Sequence, residues 1–181
     1  TLHANGGADE NERIIFRGDR LDIPYRDYPA AWPGLIFRDP SINNSIQYTT
    51  IQNAYQAIVL NNPASNGQPK LQLKESIINN AYDAGILAIS SSINSENCLI
   101  SNCGKNLILV KGGQYTFNHL TAASYTTSFI QHKDPVLALT NFVKEGNNTI
   151  SVDLSASFTN CIFWSENSIV ENEVVVQKEG N

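Results

Sequence analysis

The sequence contains no methionine, only three cysteines and few charged side chains. Its 181 residues carry 12 Lys and Arg against 17 Asp and Glu, so 16% of residues are charged and the formal net charge is −5. A nucleic-acid binder needs a dense Lys/Arg face, and this balance therefore predicts no nucleic-acid partner. No apolar run approaches the roughly 18 residues of a membrane span, which predicts that this stretch has no transmembrane segment.

The missing methionine also bears on completeness. No charged-then-apolar leader opens the chain, and we therefore expect these residues to be a segment of a longer precursor. The length suits one ordinary domain, so residues 1–181 are expected to form a single domain. The run 173–176 reads as a last strand without a polar cap after it, and we expect other parts of the parent chain to cap the ends.

The three cysteines, Cys98, Cys103 and Cys161, are too few for a disulfide framework, and an odd count leaves at least one free thiol. The Cys-x4-Cys spacing has no second ligand pair, which argues against structural zinc. Buried free thiols are the simplest interpretation. We expect no metal site and no cofactor.

Short strand-like segments recur along most of the chain. They begin at Thr49, Ser76, Cys98, His119 and Cys161, with offsets of 27, 22, 21 and 42 residues. The first offset is long because residues 61–69, rich in Asn, Pro and Gly, read as an inserted loop. A period of 21–22 residues therefore remains, and with the 22 asparagines in the chain it predicts short strands between tight turns.

Such a period predicts an all-β fold, a right-handed parallel β-helix in which each coil stacks on the one before it at the usual strand spacing. Asn53, Asn80 and Asn102 fall at equivalent turn positions. Asparagine tolerates the left-handed conformation, and stacked amides can hydrogen-bond along the axis.

The repeat also predicts which side chains face inward. We assign the more aliphatic column to the interior, because exposing it would forfeit roughly 1.5–3 kcal/mol per side chain. This column consists of Thr50, Ile77, Leu99, Leu120 and Ile162. Its neighbour, with small or polar groups, consists of Thr49, Ser76, Cys98, His119 and Cys161.

The first 40 residues differ from the repeats and hold all five arginines. Prolines interrupt regular structure there, and residues 18–33 are predicted to form a loop excursion. Two interpretations stay open: a loop pinned by Arg–Asp pairs with Trp32 packed on an open end, or a ligand site of arginine forks and aromatic rings. The candidate ligand-binding residues are Arg17, Asp19, Arg20, Tyr25, Arg26, Asp27 and Trp32.

Tyr55 and Tyr82 are two further candidates, at equivalent positions 27 residues apart. Two rings one coil apart can form a platform for a sugar ring, or they can cover the preceding strand. Asp83 is predicted to have Gln56 below it and Lys105 above it, which favours a rim ion pair over a calcium site, since calcium requires several oxygen ligands.

Several stretches together resemble the exported right-handed β-helix repeat proteins of Bacteroidetes, of the pectin-lyase-like superfamily. They are residues 1–6, 15–20, 25–36, 80–86, 101–104 and 160–164. The resemblance implies a solenoid that is exported, on a lipoprotein of the cell envelope or secreted, with function mostly unassigned. Some members of the wider superfamily act on polysaccharides, and this is an analogy only.

The leading functional hypothesis is a non-catalytic envelope or secreted module that binds a polysaccharide or other surface glycan, or serves as a structural or adhesive scaffold. No Gly-x-Ser-x-Gly, phosphate-binding loop or His-Glu-x-x-His motif is present, and no catalytic residue is assigned. The alternative is a carbohydrate-active enzyme, similar to a polysaccharide lyase or a glycoside hydrolase, with its site in the Arg/Asp-rich loop or outside these residues.

Overall fold

Strands dominate the chain, and nearly all of them pair in parallel. The computed structural model describes residues 1–146, 148–166 and 169–180. Strands β1 to β16 span His3–Asn5, Ile14–Phe16, Leu35–Phe37, Asn44–Gln47, Thr49–Gln52, Gln56–Asn61, Leu71–Lys74, Ile77–Asn79, Ala84–Ser101, Lys105–Ser124, Leu137–Thr140, Phe142–Glu145, Asn148–Ser151, Leu154–Thr159, Ile162–Ser165 and Val174–Gln177. Two 3₁₀ turns, Glu10–Glu12 and Tyr25–Asp27, are also present. Within these ranges no helix has the length and apolar character needed to cross a bilayer.

The parallel strands form three columns. Column A contains β1, β4, β7 and β14; column B contains β2, β5, β8 and β15; column C contains β3, β6, β11 and β16. The long strands β9 and β10 bend and pass through all three columns, pairing along most of their length. Strands β12 and β13 are the exception, an antiparallel hairpin between columns C and A. The predicted all-β, parallel character is confirmed.

Paired residues in the middle of the columns are 21 or 22 positions apart, as in Leu71–Ile93, Ile77–Leu99 and Ile86–Leu107. The spacing is wider earlier, at 27 for Thr50–Ile77. The extra length lies in residues 61–69. Asn61 and Leu71, which are ten positions apart, pair with Ile89 and Ile93, which are only four positions apart.

The buried ammonium group of Lys70 anchors this inserted loop. The side chain is fully buried, and its Nζ donates to the carbonyl oxygens of Asn61, Asn62 (3.0 Å) and Asp39 (3.4 Å). A buried cation is tolerated only where it is solvated by such acceptors. The loop is therefore held at its base by the Lys70 ammonium group, which donates to carbonyl oxygens that water would otherwise have to satisfy.

The prediction of which residues of column B face the interior is wrong. Ile51, Ile78, Ile100 and Ala122 are buried in column B, whereas Thr50, Ile77 and Leu99 are only half-buried and Ile162 is 57% exposed. Ile77-Ile78 and Leu99-Ile100 are aliphatic at both positions. The alternation of apolar and polar residues therefore does not show which residue of each pair faces inward, which we call the phase of the strand. The column of small groups faces inward instead, and Leu120 belongs to it, because Leu120 rather than His119 pairs with Cys98.

The phase is set by the corner between columns A and B, where left-handed residues occupy equivalent positions. They are Tyr48, Glu75, Asn97, His119 and Asn160. The residue after the corner turns inward and donates back across it: Ser76 Oγ lies 2.6 Å from the Lys74 carbonyl oxygen, and Cys98 Sγ lies 3.3 Å from that of Glu96. Small polar groups thus give these corner carbonyls a second donor, beside the backbone amides of Tyr48 (3.2 Å to the Lys74 oxygen) and Glu75 (3.0 Å to the Glu96 oxygen).

The three cysteines are free, as predicted for at least one of them. Cys98 and Cys103 are buried, and Cys161 is partly exposed. Burial raises the pKa of Cys98 and raises that of Cys103 to about 12. The two buried thiols are therefore protonated and unreactive at neutral pH.

Candidate ligand-binding recess at one corner

The corner between columns B and C consists of a stack of asparagines. Asn53, Asn80 and Asn102 all adopt positive φ, as the sequence predicted. Asn80 Nδ2 donates to Asn53 Oδ1 at 2.8 Å, which confirms an amide contact along the stack. Asn102 departs from the pattern, because its Nδ2 donates to Asn79 Oδ1 at 3.3 Å.

The same asparagines hold two long segments against the corner. In the 18–33 segment, the carbonyl oxygens of Arg26 and Asp27 accept from Asn53 Nδ2 (2.7 Å) and Asn80 Nδ2 (3.0 Å). In the 125–135 segment, the Tyr125 amide donates to Asn102 Oδ1 at 3.2 Å. The two segments thus lie along one edge of the columns.

The two segments contact each other through aromatic rings. The ring centroids of Tyr28 and Phe129 are 4.9 Å apart, and Tyr25 lies edge-on to Tyr28 at 5.5 Å. Phe129 itself stays 47% exposed. Its side chain is therefore positioned by an aromatic neighbour while keeping a face open to solvent.

The base of the 125–135 segment is held by buried His132 and its partly exposed partner Glu173. His132 is 4% exposed, and its Nε2 lies 2.8 Å from Glu173 Oε2. The Glu173 carboxylate also accepts from Ser165 Oγ and, at 3.3 Å, from the Val136 amide. One carboxylate thus connects the segment, at His132, to the ends of β11 and β15.

Tyr55 and Tyr82 stack beside this corner. Their ring centroids are 5.9 Å apart and their planes differ by 25°, as their equivalent positions predicted. Tyr82 remains 52% exposed. The next residue of the column is Gly104, where a Cβ would lie 2.4 Å from the Tyr82 carbonyl oxygen. No side chain at Gly104 can continue the stack, and the tyrosine ladder ends there with space beyond Tyr82.

Polar groups adjoin the tyrosines. Lys105 Nζ lies 3.0 Å from Asp83 Oδ1, and Gln56 Nε2 donates to Asp83 Oδ2 at 2.7 Å, so the predicted rim ion pair is confirmed. Burial alone would raise the pKa of Asp83, but hydrogen bonds from Gln56 and Lys105 outweigh it and hold that pKa below its usual value. The same bond to Asp83 raises the pKa of Lys105. Both groups are charged at neutral pH.

These groups surround a cavity of about 330 Å³ that we name the Tyr82 recess. It is lined by Tyr82, Asp83, Gly104, Lys105, Ser128, Phe129, Ile130, Gln131, Lys133 and Asp134. Aromatic carbon and paired charges thus face one recess that is open to solvent. The recess can take a ring-sized ligand that offers both an apolar face and hydroxyl groups.

The predicted candidates of the 18–33 segment take a different arrangement. Arg20 pairs with Asp22 at 2.8 Å and lies over the Tyr25 ring, its guanidinium carbon 3.4 Å from the ring centroid. Arg26 pairs with its neighbour Asp27 at 3.2 Å. These pairs are internal to the segment and exposed, so the segment is pinned by Asn53 and Asn80 rather than by Arg–Asp contacts.

The remaining candidates lie apart from the recess lining. The Trp32 indole Nε1 donates to the Gln52 carbonyl oxygen at 2.8 Å, and the ring stacks on Phe16 at 6.4 Å while packing against the core. Trp32 thus acts as packing at this end of the columns. Arg17 and Asp19 are exposed. Of the nine candidates, the structure places Tyr82 in the recess with Tyr55 directly behind it.

Sequence reasoning missed the contribution of the 125–135 segment. Phe129 lies in a stretch without a period, and nothing in its spacing shows that it approaches Tyr82. Gly104 was detectable, because it is the next member of the series that contains Tyr55 and Tyr82. A gap in an aromatic ladder is therefore a usable signal for a recess.

A larger cleft, of about 630 Å³, lies on column A between the inserted loop and residues 152–155. Its floor includes Ser92, Asn94, Gln114 and Thr116, and its lining contains no aromatic side chain and one ionisable group, Asp153. Across the described ranges, no three His, Cys, Asp or Glu side chains are grouped closely enough to hold a metal ion.

Comparisons of the chain with family models, with curated proteins and with solved structures found no match.

Proposed function

We propose that this chain is a right-handed parallel β-helix that binds glycans without catalysis, with the Tyr82 recess as its binding site. One observation carries the functional part of the proposal. Tyr82 keeps an exposed ring next to Gly104, in a recess that also contains Phe129 and the Asp83–Lys105 pair.

The fold assignment is supported by the way the chain passes from one column to the next. Strands β9 and β10 each run through columns A, B and C, and they pair with each other 21 or 22 positions apart. A chain that returns in parallel to the same column after each circuit describes a coil. Parallel crossovers are right-handed in nearly all proteins, and we assign that hand here.

The binding assignment is supported by the chemistry of the recess. A pyranose ring has one face of C–H groups that packs on aromatic carbon, and a rim of hydroxyl groups that needs both donors and acceptors. Tyr82 and Phe129 supply the aromatic carbon, Asp83 accepts hydrogen bonds, and Lys105 donates them. The site is also preformed, because the amide stack and the His132–Glu173 pair fix its walls, which lowers the entropic cost of binding.

A glycan array tests the proposal. The wild-type chain is compared with Tyr82→Ala and with a matched control, Tyr125→Ala, which removes a tyrosine of similar exposure (47%) outside the recess lining. We expect specific binding by the wild type and the control and its loss in Tyr82→Ala. Circular dichroism verifies that each variant is folded. Binding that survives in Tyr82→Ala, or no binding by the wild type, contradicts the proposal.

We further propose that the chain is an exported protein of the cell envelope or a secreted one, related to the Bacteroidetes β-helix repeat proteins. The support is the sequence resemblance together with the parallel columns. Fractionation of cells that express the full-length gene tests the location: the protein is expected in the envelope or the medium, and its confinement to the cytoplasm contradicts this part of the proposal.

A further inference from the structure

The ionisable groups of the Tyr82 recess balance one another. Its lining contains two carboxylates, Asp83 and Asp134, and two ammonium groups, Lys105 and Lys133. The lining therefore has no net charge at neutral pH. The lining itself therefore adds no net charge that would attract anions or cations from a distance.

One of the two ammonium groups is already paired with a carboxylate. Lys105 Nζ contacts Asp83 Oδ1 at 3.0 Å, and the charge of Asp134 also acts on Lys105. The partner carboxylate is fixed in turn by Gln56, at 2.7 Å. A sugar carboxylate at this point would have to displace Asp83 from Lys105 or lie against it, and like charges side by side are repelled.

From this geometry we propose that the recess selects an uncharged pyranose unit and rejects the corresponding uronic acid. This inference rests on the proposed function and names the ligand class of the same site. The sugar packs its C–H face on Tyr82 in the space that Gly104 leaves open. Its hydroxyl groups donate to Asp83 and accept from Lys105, and the pair remains intact. The volume of about 330 Å³ is near the lower limit of small-molecule sites, about 300 Å³, which suits one or two sugar rings.

The structure also identifies the residue that rejects acidic sugars. Asp83 supplies the negative charge in contact with Lys105, so Asp83→Asn keeps the shape of the side chain but removes the charged partner at 3.0 Å and leaves only the more distant charge of Asp134. In that variant Lys105 is free to pair with a sugar carboxylate. The specificity is therefore expected to reverse rather than merely weaken.

Calorimetric titration with paired ligands tests this inference. The probes are oligosaccharides of glucose, galactose and mannose and the matching oligomers of glucuronate, galacturonate and mannuronate. For the wild type we expect at least one neutral ligand to bind about tenfold more tightly than its uronate, with an affinity that changes less than about twofold between low and high salt. For Asp83→Asn we expect tighter, salt-sensitive binding of the uronate.

The outcomes separate the two proposals. Preferential, salt-sensitive binding of uronates by the wild type overturns the ligand class and leaves glycan binding at the recess intact, provided that Tyr82→Ala abolishes it. Unchanged uronate affinity in folded Asp83→Asn overturns the role of Asp83 in specificity. Absence of binding to every ligand of both classes contradicts the proposed function itself.

Discussion

Asn80 donates from Nδ2 to Asn53 Oδ1 at 2.8 Å, between the ends of the paired strands β8 and β5, while the same amide group lies 3.0 Å from the Asp27 carbonyl oxygen. A single side chain thus connects two turns of the columns and the 18–33 segment. It does so from a left-handed backbone, at φ +56°. The corner beside the recess is therefore stabilised by amide chemistry at a position that few residue types tolerate.

Replacing this amide tests its role in the corner. Asn80→Ala is expected to lower the free energy of unfolding by about 2 kcal/mol, from the lost hydrogen bonds and the left-handed backbone together. Asn80→Gly retains the backbone freedom and isolates the hydrogen-bond part, which is expected to be about 1 kcal/mol. Urea unfolding followed by circular dichroism measures both. An Asn80→Ala variant as stable as the wild type would show that the asparagine stack does not contribute to the stability of the fold.

The phase of column B is tested by two adjacent residues. Ile100 is fully buried and Leu99 is half-buried. Ile100→Ala is expected to cost about 2–5 kcal/mol of folding stability, because it leaves a cavity in a packed interior. Leu99→Ala is expected to cost less than half as much. The midpoints of urea unfolding report the difference, and the reverse order would restore the inward column that the sequence predicted.

Thiol labelling gives an independent test of burial. Cys103 is fully inside with its pKa raised to about 12, and Cys98 is buried with a raised pKa. In the native protein, only Cys161 is expected to react rapidly with a disulfide reagent at mildly alkaline pH, since reaction requires an accessible thiolate. In urea all three are expected to react. Rapid labelling of two or more thiols in the folded protein would contradict the packing of the inner columns.

The Asp83–Lys105 pair makes stability depend on pH in the acid range. The pKa of Asp83 is lower in the folded protein than its usual value of 3.8, so its contribution is complete above about 3.8 and is lost as the pH falls through the folded value. The pair is partly exposed, and we expect it to contribute less than about 1 kcal/mol. The difference in unfolding free energy between the wild type and Asp83→Asn should therefore shrink below that pH. A difference that stays constant into strong acid would show that Asp83 is not stabilised as a carboxylate.

Part of this architecture follows from local chemistry that the sequence displays. Asparagines such as Asn53 and Asn80 recur at one turn, and the tyrosines that follow them stack because they occupy equivalent positions. The phase of column B did not follow, because Ile77 and Ile78 are both aliphatic and the deciding feature is a hydrogen bond across the Glu75 corner. The alternation of apolar and polar residues along a strand does not reveal that hydrogen bond.

The recess was predictable only in part. Tyr55, Tyr82 and Gly104 follow from the repeat, whereas Phe129 belongs to a segment whose path depends on distant contacts, among them His132 with Glu173, 41 positions apart. Contacts of that separation leave no periodic signal in a single sequence. A loop that forms one wall of a site therefore becomes visible only once the chain has folded.

The central claim is that ligand enters the space between Tyr82 and Phe129, and side-chain nuclear magnetic resonance tests it most directly. Protein with labelled aromatic rings is titrated with neutral gluco-, galacto- and manno-oligosaccharides while the ring signals are followed. The Tyr82 and Phe129 signals are expected to shift together and saturably, while those of Tyr125, outside the recess lining, and buried Tyr115 stay in place. Saturable shifts confined to other rings, or no shift at Tyr82 with any of these sugars, would contradict the claim.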